Sequence, residues 1–209
     1  MKSHLASLLF ATTLLAGRAT DLPAAPASLA TALRGAEAQL AACRERYLAN
    51  NPKLQEQVVR VGELRRMVEM DNREPLVLQL ARVDLVAMRL RYLGNHPKLR
   101  AQELGVAAME RQWRADPAAP EVLLAAQAEL AAMSVRYGEN HPRYVDRKQR
   151  VEAFQRHLLG PSVDSYELRL ARATREYYAD RYGDRHPRMQ ALAEQIAALE
   201  DRAQVVSRK

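Results

Sequence analysis

One phrase constrains this chain more than anything else in it, because it returns four times at a fixed interval. Arg46-Tyr47 is followed by Asn51-Pro52-Lys53, Arg91-Tyr92 by His96-Pro97-Lys98, Arg136-Tyr137 by His141-Pro142-Arg143, and Arg181-Tyr182 by His186-Pro187-Arg188. Successive copies are 45 residues apart, without slippage. An interval held over four copies marks a repeat architecture, in which each copy is one supersecondary unit that buries its apolar face against a neighbour.

The segment before each tyrosine carries an apolar stripe. In the 45-residue register Leu33, Leu78, Leu123 and Leu168 are equivalent, followed by Ala36, Ala81, Ala126 and Ala171. Next come Leu40, Leu85, Leu130 and Arg175, then Cys43, Met88, Met133 and Tyr178, then the turn tyrosines. Alternating steps of three and four residues place these columns on one helix face, with the alanines letting a neighbour approach closely. Arg175 is the one break, and it falls in the final repeat, where a terminal unit faces water. The segment after each proline carries a thinner stripe: Leu54, Val61, Leu64, Val68; Leu99, Val106, Met109, Trp113; Tyr144, Val151, Phe154, Leu158; Met189, Ile196, Leu199, Ala203. We call the helix before each turn A and the one after it B; the wider apolar arc makes the A helices the more buried layer.

Turn chemistry sets the boundaries. A residue before proline is pushed out of the αR region, so His96, His141, His186 and Asn51 are expected as N-caps with proline at N1 of each B helix. Gly94, Gly138 and Gly183 are expected to end A helices in a left-handed conformation. Pro75 and Pro120 read as N1 residues of the next A helices, and Asp164 with Glu167 as a capping box. The fold expected is all-α: four helix-turn-helix repeats, about 30–74, 75–119, 120–164 and 165–209, forming a single domain over 30–209. Eight helices of about 17–20 residues would stack as a short α-solenoid or an irregular antiparallel bundle, with an extended coiled-coil rod as the alternative.

The N-terminus carries Lys2, an apolar run from Leu5 to Ala16, and the small-residue exit Gly17-Arg18-Ala19. This is the pattern of a secretory signal peptide over 1–19, too short to span a bilayer stably, although a retained anchor is the rival. Residues 20–29, with Pro23 and Pro26, read as an extended leader. The expected location is therefore exported, periplasmic or secreted. Formal charge is +7, and without the two signal-segment cations Lys2 and Arg18 it is +5. That balance permits anionic polymers as ligands, while export argues against nucleic acid. Cys43 is the only cysteine, so no internal disulfide can form.

No glycine-rich phosphate loop, metal-spaced Cys or His pair, or nucleophile signature is present, so no enzymatic activity and no cofactor are expected. The three turn histidines could not share one ion, because equivalent positions of a stacked array lie about 10–20 Å apart and metal–nitrogen bonds are about 2 Å. The turn tyrosines read as core packing with the hydroxyl reaching the turn backbone, or as a ligand-stacking ladder. Arg46, Arg91, Arg136 and Arg181 in the last turn of each A helix complement its dipole. Lys53, Lys98, Arg143 and Arg188 in the first turn of each B helix oppose it. Together the eight form a candidate anion-binding edge beside four helix N-termini.

The last copy, Arg181-Tyr182-Gly183-Asp184-Arg185-His186-Pro187-Arg188-Met189-Gln190-Ala191-Leu192-Ala193-Glu194-Gln195-Ile196-Ala197-Ala198-Leu199-Glu200, resembles the Tyr-x-x-x-His-Pro hairpin of the periplasmic coiled coils in Wzz/GumC-type polysaccharide chain-length determinants. The resemblance implies a helix-turn-helix element and a setting in surface-polysaccharide export. Those proteins also carry flanking transmembrane helices and often a kinase, neither of which is read here, and they do not repeat the hairpin four times. The functional expectation is a non-enzymatic scaffold or adaptor that binds an envelope protein, with an anionic polysaccharide or lipopolysaccharide binder as the alternative.

Overall fold

A computed structural model describes residues 28–70, 73–160 and 162–207. The expected signal segment, nearly all of the leader, and the connection residues Asp71, Asn72 and Pro161 lie outside the described residues. The rest is all-helical: α1 (Leu29–Arg46), α2 (Pro52–Glu69), α3 (Leu76–Arg91), α4 (Pro97–Ala115), α5 (Glu121–Met133), α6 (Pro142–Leu158), α7 (Tyr166–Ala179) and α8 (Pro187–Ser207). Odd-numbered helices are the A helices and even-numbered ones the B helices, so the four repeats are four α-hairpins.

The chain divides into two compact units, one ending at Val106 and the other beginning at Ala107, a boundary that falls within α4. In the first unit α1 packs on α2 and α2 on α3; in the second α5 packs on α6, α6 on α7 and α7 on α8. Short connections make each of these neighbours antiparallel.

The alanine column is buried throughout, at Ala36, Ala81, Ala126 and Ala171, and the leucine column is fully buried at Leu78, Leu123 and Leu168. Leu33, in the first helix, is only half-buried. In the first unit Ala36 and Leu40 pack with Leu54, Val61, Leu64, Met67 and Val83. In the second, Leu123 and Ala126 pack with Val151, Phe154, Leu158 and Ala173, while Leu168 and Ala171 pack with Ile196. Full burial of side chains this size contributes about 1.5–3 kcal/mol each, the main term holding a hairpin together. The small alanines also bring backbone within reach of polar side chains from the facing helix. Gln57 Nε2 donates to Ala36 O at 2.9 Å, and Gln102 Nε2, at the equivalent position, donates to Ala81 O at 3.0 Å.

Several boundaries differ from expectation. α5 and α7 end early, at Met133 and Ala179, so Arg136 and Arg181 lie in the turns that follow. Their amides bond three residues back, to Met133 O and Tyr178 O, a tightened close that shortens each helix. Pro75 and Pro120 are N-caps rather than N1 residues; having no side-chain acceptor, neither makes a cap hydrogen bond. The cap of α7 is Ser165, whose Oγ accepts from Leu168 N at 3.2 Å, and Asp164 pairs instead with Arg172 at 2.6 Å. α1 begins one residue before the expected repeat start, capped by Ser28.

The burial expectations also need correction. Val68 and Ala203 are exposed, and Met67 is the buried residue at the end of α2. The A helices are the more buried layer at α3, but α1, with only Ala36 and Leu40 buried, is less covered than its partner α2. A first helix has a neighbour on one side only, which accounts for the inversion. Arg175 is exposed, as a terminal repeat allows.

Candidate functional site

The recurring A–B turns share one four-residue hydrogen-bonded turn, entered from an extended tyrosine in the first two repeats. At the tyrosine the chain turns extended, with φ −127° and ψ 143° at Tyr47 and φ −117° and ψ 135° at Tyr92, and the tyrosine amide still bonds back to the helix, at Cys43 O and Met88 O. A four-residue turn follows. Leu48 O accepts from Asn51 N, Leu93 O from His96 N, Gly138 O from His141 N and Gly183 O from His186 N, all at 2.8–2.9 Å. None of these steps uses a left-handed residue, so the expectation for Gly94, Gly138 and Gly183 fails. The one described glycine with positive φ is Gly160, at +88° in the connection after α6. The extended Tyr47 and Tyr92 end α1 and α3 in the way a left-handed glycine otherwise would, whereas α5 and α7 end at right-handed Ser134 and Asp180.

Proline forces the preceding residue into the extended region, where its side chain caps the next helix. Asn51 Oδ1 accepts from Lys53 N at 2.9 Å, and Nδ1 of His96, His141 and His186 accepts from the amides of Lys98, Arg143 and Arg188, each at 3.2 Å. The capping geometry makes Nδ1 the acceptor in every case. Each imidazole also lies on its turn tyrosine: ring centroids are 4.1 Å apart for Tyr92–His96, 4.2 Å for Tyr137–His141 and 4.1 Å for Tyr182–His186.

The cation whose amide is capped then folds back over the same tyrosine. Lys53 Nζ lies 5.7 Å from the Tyr47 ring centre and Lys98 Nζ 5.9 Å from that of Tyr92; the Arg143 and Arg188 guanidiniums lie 6.0 Å from Tyr137 and Tyr182. A cation over a ring face gains about 0.5–1 kcal/mol at exposed sites, which offsets the unfavourable helix dipole. The tyrosines are thus half-buried seats for these cations. The Tyr137 hydroxyl accepts from Arg143 Nη1 at 3.1 Å rather than reaching the turn backbone.

The eight candidate edge residues separate into groups. Arg91 Nη1 is 3.5 Å from Glu56, and Arg181 pairs with Asp146 while stacking on Tyr177 at 4.6 Å. Among the described residues, Arg46, Lys53, Lys98, Arg136, Arg143 and Arg188 have no carboxylate partner. The helix N-termini beside them are closed. Proline has no amide, the next is capped by Asn or His, and the two after it bond the cap carbonyl: Leu54 and Gln55 to Asn51 O, Tyr144 and Val145 to His141 O, Met189 and Gln190 to His186 O. At α2, α6 and α8 the backbone donors of an ordinary helix N-terminus are thus bonded, and at α4 Arg100 N bonds His96 O, so attraction for an anion rests chiefly on side-chain charge.

A polar feature the apolar stripes did not reveal sits on the A helices. Gln39, Asp84, Glu129 and Thr174 share one column, and Arg60 and Arg150 are 90 residues apart. Arg60 pairs with Asp84 of the next helix, and Arg150 Nη1 reaches Glu129 Oε2 of its own hairpin at 3.0 Å. Arg147 adds a contact to Glu129 at 3.3 Å, and Arg150, nearly buried, covers the Phe154 ring. Glu129 Oε1 is buried without a hydrogen-bond partner. Burial raises the Glu129 carboxyl above its ordinary range, outweighing the two guanidiniums that lower it. Among the described residues no three His, Cys, Asp or Glu side chains converge as a metal ion would need, and no helix is long and apolar enough to cross a membrane.

The fold and its turns define an all-α helical-repeat protein whose 45-residue hairpins share a seven-residue turn cassette. No protein-family model matches the chain, and no curated protein or solved structure is significantly similar to it.

Proposed function

We propose that this is a non-enzymatic helical-repeat scaffold or adaptor of the cell envelope, which binds another protein through the exposed faces of its hairpins. The closed turn cassette carries this reading. Its histidines cap, its tyrosines seat cations and its helix amides are bonded, so the most regular polar feature of the chain is occupied in holding hairpins in shape. What remains for recognition is the outer helix and turn surface, where Val58, Val68, Leu104 and Val145 are exposed. The envelope setting is supported by the signal-like segment over 1–19 and by the likeness of the last repeat to polysaccharide chain-length determinants.

A second reading is supported by a separate observation. Lys53, Lys98, Arg143 and Arg188 recur without carboxylate partners among the described residues, two in each unit, which suits an anionic glycan. A pull-down from the envelope fraction with the tagged chain, washed at low salt and then at roughly 0.5 M, where the screening length is about 4 Å, separates the two. A protein partner that survives the salt wash supports the scaffold. Glycan released by salt, and lost when the four cations are changed to Gln, replaces it with the polymer binder.

A further inference from the structure

The turns of repeats one and two differ from those of repeats three and four in the residue after the tyrosine, in the residue after that (Ala49 and Gly94 against Glu139 and Asp184) and in the cation after the proline (lysine against arginine). Leu48 and Leu93 directly follow their turn tyrosines, where the later repeats have Gly138 and Gly183. The leucines are not packed: Leu48 is 80% and Leu93 88% exposed, with Leu90 a further 54% exposed one helical turn before Leu93. Both tips lie at the same end of the first unit. α1, α2 and α3 run antiparallel in succession, and Arg91 at the end of α3 reaches Glu56 near the start of α2.

That end is also basic. Among the described residues, its acids Glu56 and Glu103 are paired with Arg91 and Arg89, leaving Glu45 as the unpaired acid against five cations without a carboxylate: Arg44, Arg46, Lys53, Lys98 and Arg100. The corresponding end of the second unit has glycine tips and carries Glu139, Asp180 and Asp184. That end also has Arg136, Arg143, Arg185 and Arg188 without a carboxylate among the described residues, four cations against three acids, so the leucine tips coincide with the larger excess of positive charge.

We infer that the leucine-tipped turn end of the first unit, Leu48 and Leu93 with Lys53 and Lys98 beside them, docks the protein onto an anionic lipid surface. The leucines enter the boundary between headgroups and acyl chains while the cations stay among the headgroups, the division of labour of a peripheral membrane contact. Basic residues near an anionic bilayer add attraction that decays within a screening length. Protruding single side chains favour a bilayer over a protein, since a bilayer accepts them without matching pockets. This inference does not depend on the adaptor reading.

The test places an environment-sensitive fluorophore on the tip, through Ala49→Cys in a full-length Cys43→Ser background, with Glu139→Cys in the second unit as the control. Vesicles of equal parts phosphatidylglycerol and phosphatidylcholine should shift the tip fluorophore to the blue; pure phosphatidylcholine vesicles should not, and the control should stay unmoved with either. Leu48→Gly with Leu93→Gly, which places the second unit's glycine after each tyrosine, should weaken the vesicle dependence of the tip signal by about tenfold or more. Lys53→Gln with Lys98→Gln should weaken it and remove its salt dependence, with helical content checked by circular dichroism for every variant. The inference is overturned by a silent tip fluorophore on vesicles that bind the protein, by failure to bind them at all, or by a signal that survives both leucine changes. A tip that responds to an acidic protein and not to vesicles overturns it in favour of a protein partner.

Discussion

Arg181 closes onto Asp146 across α6 and α7, in the second unit, just as Arg91 Nη1 sits 3.5 Å from Glu56 Oε2 across α2 and α3 in the first. The members of the two pairs are 90 residues apart, so the same fastening recurs every second repeat. The intervening repeats have Ala101 and Ala191 where the acids stand. The two fastenings are not equal, because Asp146 also accepts from the Tyr177 hydroxyl at 3.2 Å. Asp146→Ala should destabilise the protein by about 1–3 kcal/mol, since it removes an ion pair and strands a partly buried hydroxyl. Glu56→Ala, which loses only a partly exposed pair, should cost about 0–1 kcal/mol. Urea denaturation of both variants checks the order, and equal losses would show that the tyrosine contact is without effect.

The cap at the start of each B helix is a replaceable part. His141 is an N-cap through Nδ1 and also a stacking partner of Tyr137, whereas Asn51 fills the same position with the cap alone. His141→Ala should cost about 0.5–2 kcal/mol, the range for losing a side-chain N-cap. His141→Asn keeps the cap and should recover most of that loss. The remainder measures the imidazole–tyrosine stack, and thermal or urea unfolding of the three proteins gives all of these values.

Glycines distinguish the turn actually used from the one a reader of sequence would choose. Gly160 has φ +88°, so Gly160→Ala should destabilise by about 1 kcal/mol through backbone strain alone. An added Cβ at Gly138 or Gly183 meets nothing within 4 Å, and neither residue is left-handed. Alanine at either should be neutral or stabilise by about 0.4–1 kcal/mol, by restricting the unfolded chain. Unfolding midpoints of the three single variants decide between this turn and a left-handed one.

Most of the architecture was legible because the repeat supplies its own alignment. Comparing residues 45 apart averages out local accidents, and the alanine column, the proline-fixed caps and the terminal exposure of Arg175 all follow from it. The failures lie where one repeat differs from the next or where tertiary geometry chooses between neighbours. Val68 has the right period for the stripe of α2, yet Met67 points into the core and Val68 to water. Likewise Arg143 looked like an uncompensated charge because the ring that accepts it lies six residues back, across a turn whose path the sequence does not give. The Arg60–Asp84 and Arg150–Glu129 pairs escaped for a different reason: their arginines are 90 residues apart but their acids only 45, because the acid lies on the next helix in one pair and on the preceding helix of the same hairpin in the other. The column Gln39, Asp84, Glu129, Thr174 was visible in the sequence to anyone aligning polar residues as strictly as apolar ones.

Glu129 makes the stability of the second unit depend on pH with a definite sign. Its carboxyl is raised above the ordinary glutamate value, first by burial, with Arg150 and then Arg147 opposing. The folded protein therefore binds this proton more tightly than the unfolded chain does. Between the unfolded value and the raised folded one, the native state holds more protons, and stability falls as pH rises. The contribution is fully present below the unfolded value and is lost as pH climbs through the folded one. Glu129→Gln should remove that part of the slope while keeping the shape of the side chain. Asp84, raised in the same direction by burial against Arg60, leaves the variant a residual slope of the same sign. Urea titrations of the two proteins from the acid side up to neutrality give the difference directly. A difference that grows more favourable to the wild type as pH rises would mean that the two arginines, and not burial, set the proton affinity of this carboxyl.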